Sequence, residues 1–304
     1  MSKIQSELTV CDALFEFAEN LFGQDARKNG FLEMNAIYEV IKEVTSYVNN
    51  SSGSNLLLAL KEAEKSHEKN DNYSHAVRTT VYSIVIGKYT KLARHKLIEL
   101  GVSALLHDVG KILLPQKIID NPDPPTEEEL ATLNKHPLLG YKLLDICNFP
   151  PGIREAVSEH HEREDGTGFP NRLTGDKIST YGKVLGLACS YETITTGRKK
   201  QEALDPHSGM VSILKNRGKY DHNIVMALVN SLSIFPVGMF VLLSDGAKAK
   251  VVDTDPIDPR YPVVQLLERK TFEGKEIIRR TFPDGLQIVR PLRKDEYVEE
   301  PISG

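Results

Sequence analysis

Apolar residues recur at three- and four-residue spacing along most of the first 233 positions, the signature of amphipathic helices. Leu14, Phe15, Phe17, Ala18, Leu21 and Phe22 form one stripe, and Ile37, Val40, Ile41, Val44 and Val48 form a second. "NNSSGSN" at 49–55 then reads as a linker or a sharp turn between helices. Beyond it, seven segments keep the helical spacing: 55–69, 76–93, 95–110, 126–147, 152–164, 183–197 and 223–232. Thr126 followed by three acids is a helix start, because early carboxylates suit the positive N-terminal end. "NPDPP" before it cannot be helical throughout and predicts a connecting loop.

The pattern changes after Pro236. "GMFVLLSDGAKAKVVDTD", "PVVQLLE" and "QIVRPL" are short β-favouring runs cut by Asp-Gly, Pro and Gly turns. They predict a small β element behind a helical body, with a mobile tail from about 294. The organisation expected is an N-terminal helical region (1–53), a helical domain (54–235) and a β-rich element with a tail (236–304).

Composition narrows the partners. A net charge of −4 over 304 residues supplies no basic stripe and argues against binding a nucleic-acid polymer. A local pocket for a small anion is still compatible with it. Three dispersed cysteines, no apolar run near the ~20 residues of a membrane span and no signal-peptide pattern predict a reduced, cytoplasmic protein. An oligomer is compatible with the sequence.

Five of the nine histidines carry the candidate chemistry: His75, His107, His136, His160 and His161. His107 and Asp108 interrupt an otherwise apolar helix, and a buried carboxylate needs a cation, donors or a metal. A helix-end His-Asp pair bonded to its neighbours would satisfy the same stretch taken alone. Adjacent helical residues point about 100° apart. His107-Asp108 and His160-His161 are therefore better suited to reaching two nearby ions than to chelating one. Imidazole with carboxylate favours iron, manganese, zinc or cobalt over calcium or magnesium.

Taken together, His75, "HDVGK" (107–111), His136-Pro137, "HHEREDGTGFP" (160–170) and "LTGDKI" (173–178) resemble the HD-GYP class of HD-superfamily phosphohydrolases. The resemblance spans roughly 66–232 and leaves the N-terminal fifty residues and the β tail unexplained. It implies a mainly α fold, an HD-superfamily helical bundle. It also implies two or three transition-metal ions, iron first and manganese or another divalent metal next. The activity implied is hydrolysis of cyclic di-GMP to linear pGpG, and further to GMP, by a metal-bridging hydroxide.

Position by position, the resemblance makes His75, His107, Asp108, His136, His160 and His161 metal ligands, with Asp108 bridging. Lys111 and Arg198 would contact phosphate, and Lys111 would also stabilise developing charge. Asp165, Gly166, Gly168 and Phe169 would form a pocket wall, and the Gly-Phe-Pro loop or the N-terminal helices could meet signalling partners.

Four residues bear on where this chain departs from the family pattern: Cys189, Asp71, Glu192 and Phe169. Cys189 takes the position of a ligating carboxylate, and is either a softer ligand or a small buried residue at a vacated position. Asp71, four residues before His75, is either a further ligand on the same helix face or a helix cap. Glu192 at the second Asp position reads as a structural hydrogen-bonder. Phe169 replaces the family's tyrosine, losing a phenolic donor while the Gly166, Gly168 and Pro170 turn residues remain. Two functions compete on these departures: a cyclic di-GMP phosphodiesterase, and a cyclic di-GMP receptor with weak or no hydrolysis. An HD phosphohydrolase acting on another nucleotide fits the downstream motifs less well.

Overall fold

The structure, a computed structural model, describes residues 3–22, 33–50, 59–60, 62–65, 67, 71–121, 123–197, 202–255, 258, 260–271 and 273–297. The side chains of 3–7, 71–72, 269–270 and 294 lie outside that description. Arg198, the Asp71 side chain, most of the 49–55 linker and the end of the tail are thus outside the described residues.

Eleven α-helices are present among the described residues. They are α1 (Lys3–Phe22), α2 (Met34–Asn50), α3 (Asp71–Tyr89), α4 (Arg94–Leu106), α5 (Gln116–Ile119), α6 (Glu127–Leu133), α7 (His136–Ile146), α8 (Pro151–Glu159), α9 (Thr180–Thr196), α10 (Pro206–Lys215) and α11 (His222–Leu232). None is long and apolar enough to cross a membrane. The predicted stripes are the packed faces. Leu14, Phe15, Ile37 and Ile41 share one core with Ile84, Leu100, Leu105, Leu185 and Tyr191. A single core therefore runs from α1 and α2 into the body. Lys88 reinforces the junction by donating to the Val48 carbonyl at the end of α2 (2.8 Å).

The stretch 126–147 folds as two helices where the spacing predicts one. Thr126 and Glu129 form a reciprocal capping box that starts α6. Pro137 then sits in the first turn of α7. A proline has no amide donor and is tolerated there but not in a helix interior. The chain therefore ends one helix at Leu133 and restarts at His136.

The β element is an antiparallel sheet of β1 (Phe240–Leu243), β2 (Lys248–Asp253), β3 (Val263–Lys270), β4 (Glu276–Arg280) and β5 (Ile288–Pro291), in the order β4-β3-β2-β1-β5. Alternate residues point to one face. Val241, Leu243, Ala249, Val251, Val264 and Leu266 make a second core there, separate from the helical one.

One glycine sets the distance between the elements that carry the histidines. Gly110 lies in a 3-10 turn (Val109–Leu113) just after Asp108 and packs directly on α7. A Cβ at Gly110 would collide with the His136 carbonyl oxygen and lie 2.5 Å from the Gly140 nitrogen. Backbone cannot move aside as a side-chain tip does, so only glycine allows this approach. Gly110→Ala should cost about 1–3 kcal/mol, the range for overpacking. Urea denaturation measures this, and an unchanged midpoint would contradict the close packing.

Candidate metal centre

Three histidines share one local device. His107 follows α4, His136 follows α6 by three positions, and His160 follows α8. Each Nδ1 donates to the carbonyl three residues earlier: Ala104, Leu133 and Val157 respectively, all at 2.7 Å. Those carbonyls belong to helix ends, where the last turn has no intrahelical partner. A carbonyl only accepts, so each Nδ1 carries the ring proton and each Nε2 presents a lone pair. The bond thus caps a helix, fixes a tautomer and aims a nitrogen lone pair.

The aimed atoms converge. His136 Nε2 lies 3.2 Å from His160 Nε2 and 3.2 Å from Asp108 Oδ1. His107 Nε2 lies 3.5 Å from Asp108 Oδ2 and 2.9 Å from His75 Nε2. His75 sits in the second turn of α3, and its Nδ1 meets the Glu192 carboxylate on α9. Glu192 also accepts from Arg78 (2.6 Å) and from the Thr196 hydroxyl (2.9 Å). It therefore acts as a hydrogen-bonder behind a ring rather than as a donor to the cluster. His161 packs beside His160, with ring centroids 4.0 Å apart.

Two lone pairs facing each other repel unless a cation lies between them. Ligand nitrogens at about 2.1 Å from one ion and at right angles are about 3.0 Å apart. The His136–His160 and His75–His107 spacings match that value. Donor atoms fall into three overlapping groups, each within 4.8 Å: His75, His107 and Cys189; His107, Asp108 and His160; His136, His160 and His161. The residues present fit transition-metal ions, with Asp108 between the groups.

The electrostatics favour the same occupant. Burial opposes the charge on Asp108, but Lys111, His107, His136 and His75 outweigh it and hold the carboxyl well below the usual range. Lys111 Nζ is 2.5 Å from Asp108 Oδ2. Burial pushes His136 down to about 4. Burial and the neighbouring imidazoles hold His160 and His161 well below the ordinary value. Burial likewise opposes ionisation of Glu192, yet His75 and Arg78 bring it down to about 2. His136, His160 and His161 are therefore neutral and Asp108 is ionised, the forms that bind metal.

The loop after His161 is held by a residue that sequence reasoning passed over. Glu162 is buried, and its carboxylate accepts from the backbone nitrogens of Asn171 (2.7 Å) and Leu173 (2.9 Å). Gly168 is packed so tightly that a Cβ would lie 2.5 Å from the His161 oxygen. The Phe169–Pro170 peptide is cis, and the Phe169 ring stacks on His161 with centroids 4.5 Å apart. Asp165 accepts from the Thr167 nitrogen (3.0 Å) and hydroxyl (2.6 Å), which closes its own turn, and Gly166 adopts φ +74° there.

Arg163 donates to the His160 carbonyl (3.2 Å) and the Ser190 hydroxyl (3.0 Å), tying the end of α8 to α9. Arg78 was also missed, although it stands three residues after His75 on the same helix face. A cavity of about 1070 Å³ lies between the start of α10 and the sheet. Neither Asp108 nor any of the clustered histidines lines it.

Known proteins were compared with this chain. Residues 58–224 match the family model for the HD domain. The chain is 30% identical over 194 residues to cyclic di-GMP phosphodiesterase PdeB of Borreliella burgdorferi, covering 64% of this chain and 51% of that protein. It is 27% identical over 231 residues to cyclic di-GMP phosphodiesterase PA4108 of Pseudomonas aeruginosa, covering 76% and 55%. It is 26% identical over 149 residues to 3'3'-cGAMP-specific phosphodiesterase 2 of Vibrio cholerae, covering 48% and 28%. The chain thus spans about half the length of the first two relatives. Among solved structures, Bd1817, an HDG"Y"P protein from Bdellovibrio bacteriovorus, aligns with a TM-score of 0.54 at 19% identity, covering 72% of this chain and 69% of that one. That likeness concerns the fold.

The depressed histidines set a pH dependence. In the metal-free protein the unfolded chain takes up a proton at His136 near 6.5, and the folded chain only near 4. Stability is therefore full above about pH 6.5 and is lost as the pH falls towards 4, by about 1.4 kcal/mol per pH unit for a full proton. Urea midpoints of chelator-treated protein should fall between pH 7 and 5. A flat profile would contradict neutral burial of these rings.

Proposed function

Because this chain belongs to the HD domain family, as a member of the HD-GYP type, we propose that it is a metal-dependent phosphodiesterase acting on cyclic di-GMP. The observation that carries this is the set of buried Nε2 lone pairs gathered around Asp108 by helix-end carbonyls. His75, His107, Asp108, His136, His160 and His161 would hold two ions, with iron or manganese suited to the imidazole and carboxylate donors. Bound there, the ions would supply Lewis acidity and an acidified water able to attack phosphorus.

The chain's own groups do the rest. Lys111 neutralises Asp108 in the present geometry, and its ammonium lies close enough to the cluster to share itself with a phosphate oxygen. Arg198 is assigned a second phosphate contact on its motif position. Phe169, stacked on His161, offers an apolar ring edge at the mouth of the site, where a guanine base would be sheltered from water. Gly166 and Asp165 fix the turn that carries this wall. The reaction is opening of the cyclic dinucleotide to linear pGpG, with GMP as the product of a second cleavage.

Relatives named for cyclic di-GMP and for 3'3'-cGAMP both support a cyclic dinucleotide, and the higher identities favour the former. The alternative is a receptor that binds cyclic di-GMP without hydrolysing it. One observation favours it: Phe169 brings no hydroxyl to the ring-stacked position beside His161.

Turnover of cyclic di-GMP by iron- or manganese-loaded protein tests both readings. Asp108→Ala should lower the rate by at least about 10²–10³-fold, and Lys111→Ala should lower kcat by about 10²-fold. Equal rates in wild type and Asp108→Ala would remove the mechanism. Tight binding without turnover would support the receptor.

A further inference from the structure

Cys189 is the member of the cluster to which the proposed function gives no role. It lies on α9, three residues before Glu192, and is 6% exposed. Its Sγ is 3.7 Å from His75 Nε2, and it shares a group with His75 and His107 in which every donor atom is within 4.8 Å of the others. An ion bound to sulfur at about 2.3 Å and to nitrogen at about 2.1 Å separates those two atoms by about 3.1 Å at a right angle and about 3.6 Å at a tetrahedral one. The observed 3.7 Å falls near the wider value and the 2.9 Å between His75 Nε2 and His107 Nε2 near the right-angle one, so the shell would be irregular.

A second observation stands independently of the cysteine. His107 is fully buried, and its Nδ1 is committed to Ala104, so its Nε2 lone pair is aimed into the same space. Among the described residues, Cys11 and Cys147 join no such group.

We propose that Cys189 is a thiolate ligand of the ion held by His75 and His107, so that the centre consists of two chemically unequal metal sites. This rests on the reading of the cluster as a metal centre. The His136, His160 and His161 side holds nitrogen and oxygen donors only. The His75, His107 and Cys189 side adds a soft donor, which favours zinc, cobalt(II) or iron(II) over manganese and magnesium. Cys189 is thus a specificity-determining residue for metal choice at one site.

Cobalt(II) titration of the metal-free 304-residue chain tests this by absorption spectroscopy, without turnover. Wild type should show a near-ultraviolet sulfur-to-cobalt charge-transfer band. Cys189→Ser, nearly isosteric, and Cys189→Asp should bind cobalt without that band, with circular dichroism checking that each is folded. In competition dialysis the preference for zinc over manganese should fall about tenfold or more in Cys189→Asp. Two bound ions with no band in wild type, or a band that persists in Cys189→Ser, would overturn the inference and leave the metal centre standing. Failure of wild type to bind any ion would remove both.

Discussion

The site depends on one constraint: a neutral imidazole buried at the end of a helix must give its Nδ1 proton to a carbonyl, and so must point its other nitrogen inwards. Ala104, Leu133 and Val157 are the carbonyls, and each would otherwise be an unsatisfied acceptor at a helix terminus. Helix termination and the aiming of an imidazole nitrogen are therefore the same event at three positions. The cost is concentrated repulsion, with lone pairs 3.2 Å apart between His136 and His160. A multivalent cation relieves it better than a proton, because burial holds both rings well away from protonation.

Convergence of three helix ends needs backbone to approach backbone. Gly110 against the His136 carbonyl provides one such contact, and Gly168 against the His161 carbonyl provides the other. The "HDVGK" and "DGTGFP" motifs are thus as much about what is missing at the glycines as about what the charged residues carry. Glu162 completes the second contact by holding the returning strand of the loop through two amides. The buried acid holds the loop that lays Phe169 on His161, so the two rings form one stacked pair.

Much of this was legible before any coordinates. The apolar stripes marked the packed faces, the Thr126 cap marked the start of α6, and the β texture after Pro236 marked the sheet. His107-Asp108 in an apolar run announced a buried charge with a partner, although the pair lies just past the end of α4 and not inside a helix. Three things were not legible, each for a physical reason. Pro137 split a helix because a first-turn proline and an interior one look alike in a periodicity count. Among Glu162, Arg163, Glu164 and Asp165, nothing in the sequence says which acid turns inwards, and only the loop's unpaired amides select Glu162. Tertiary packing joined α1 and α2 to the body across a polar stretch that read as a boundary.

His75 shows why α9 carries so many of the unusual residues. It lies in the second turn of a continuing helix, where the carbonyl three residues earlier is already engaged within the helix, so the device used by the other three rings is closed to it. Its tautomer must be set by an acceptor from another element, and Glu192 supplies one. That carboxylate is itself held by Arg78 and Thr196, which fixes the α3–α9 distance from both sides. One turn earlier on α9, the same distance brings Cys189 to 3.7 Å from His75. The contact that orients the ring therefore also delivers the sulfur. A change at position 189 can alter the donor chemistry of this half while leaving the orientation of His75 to Glu192.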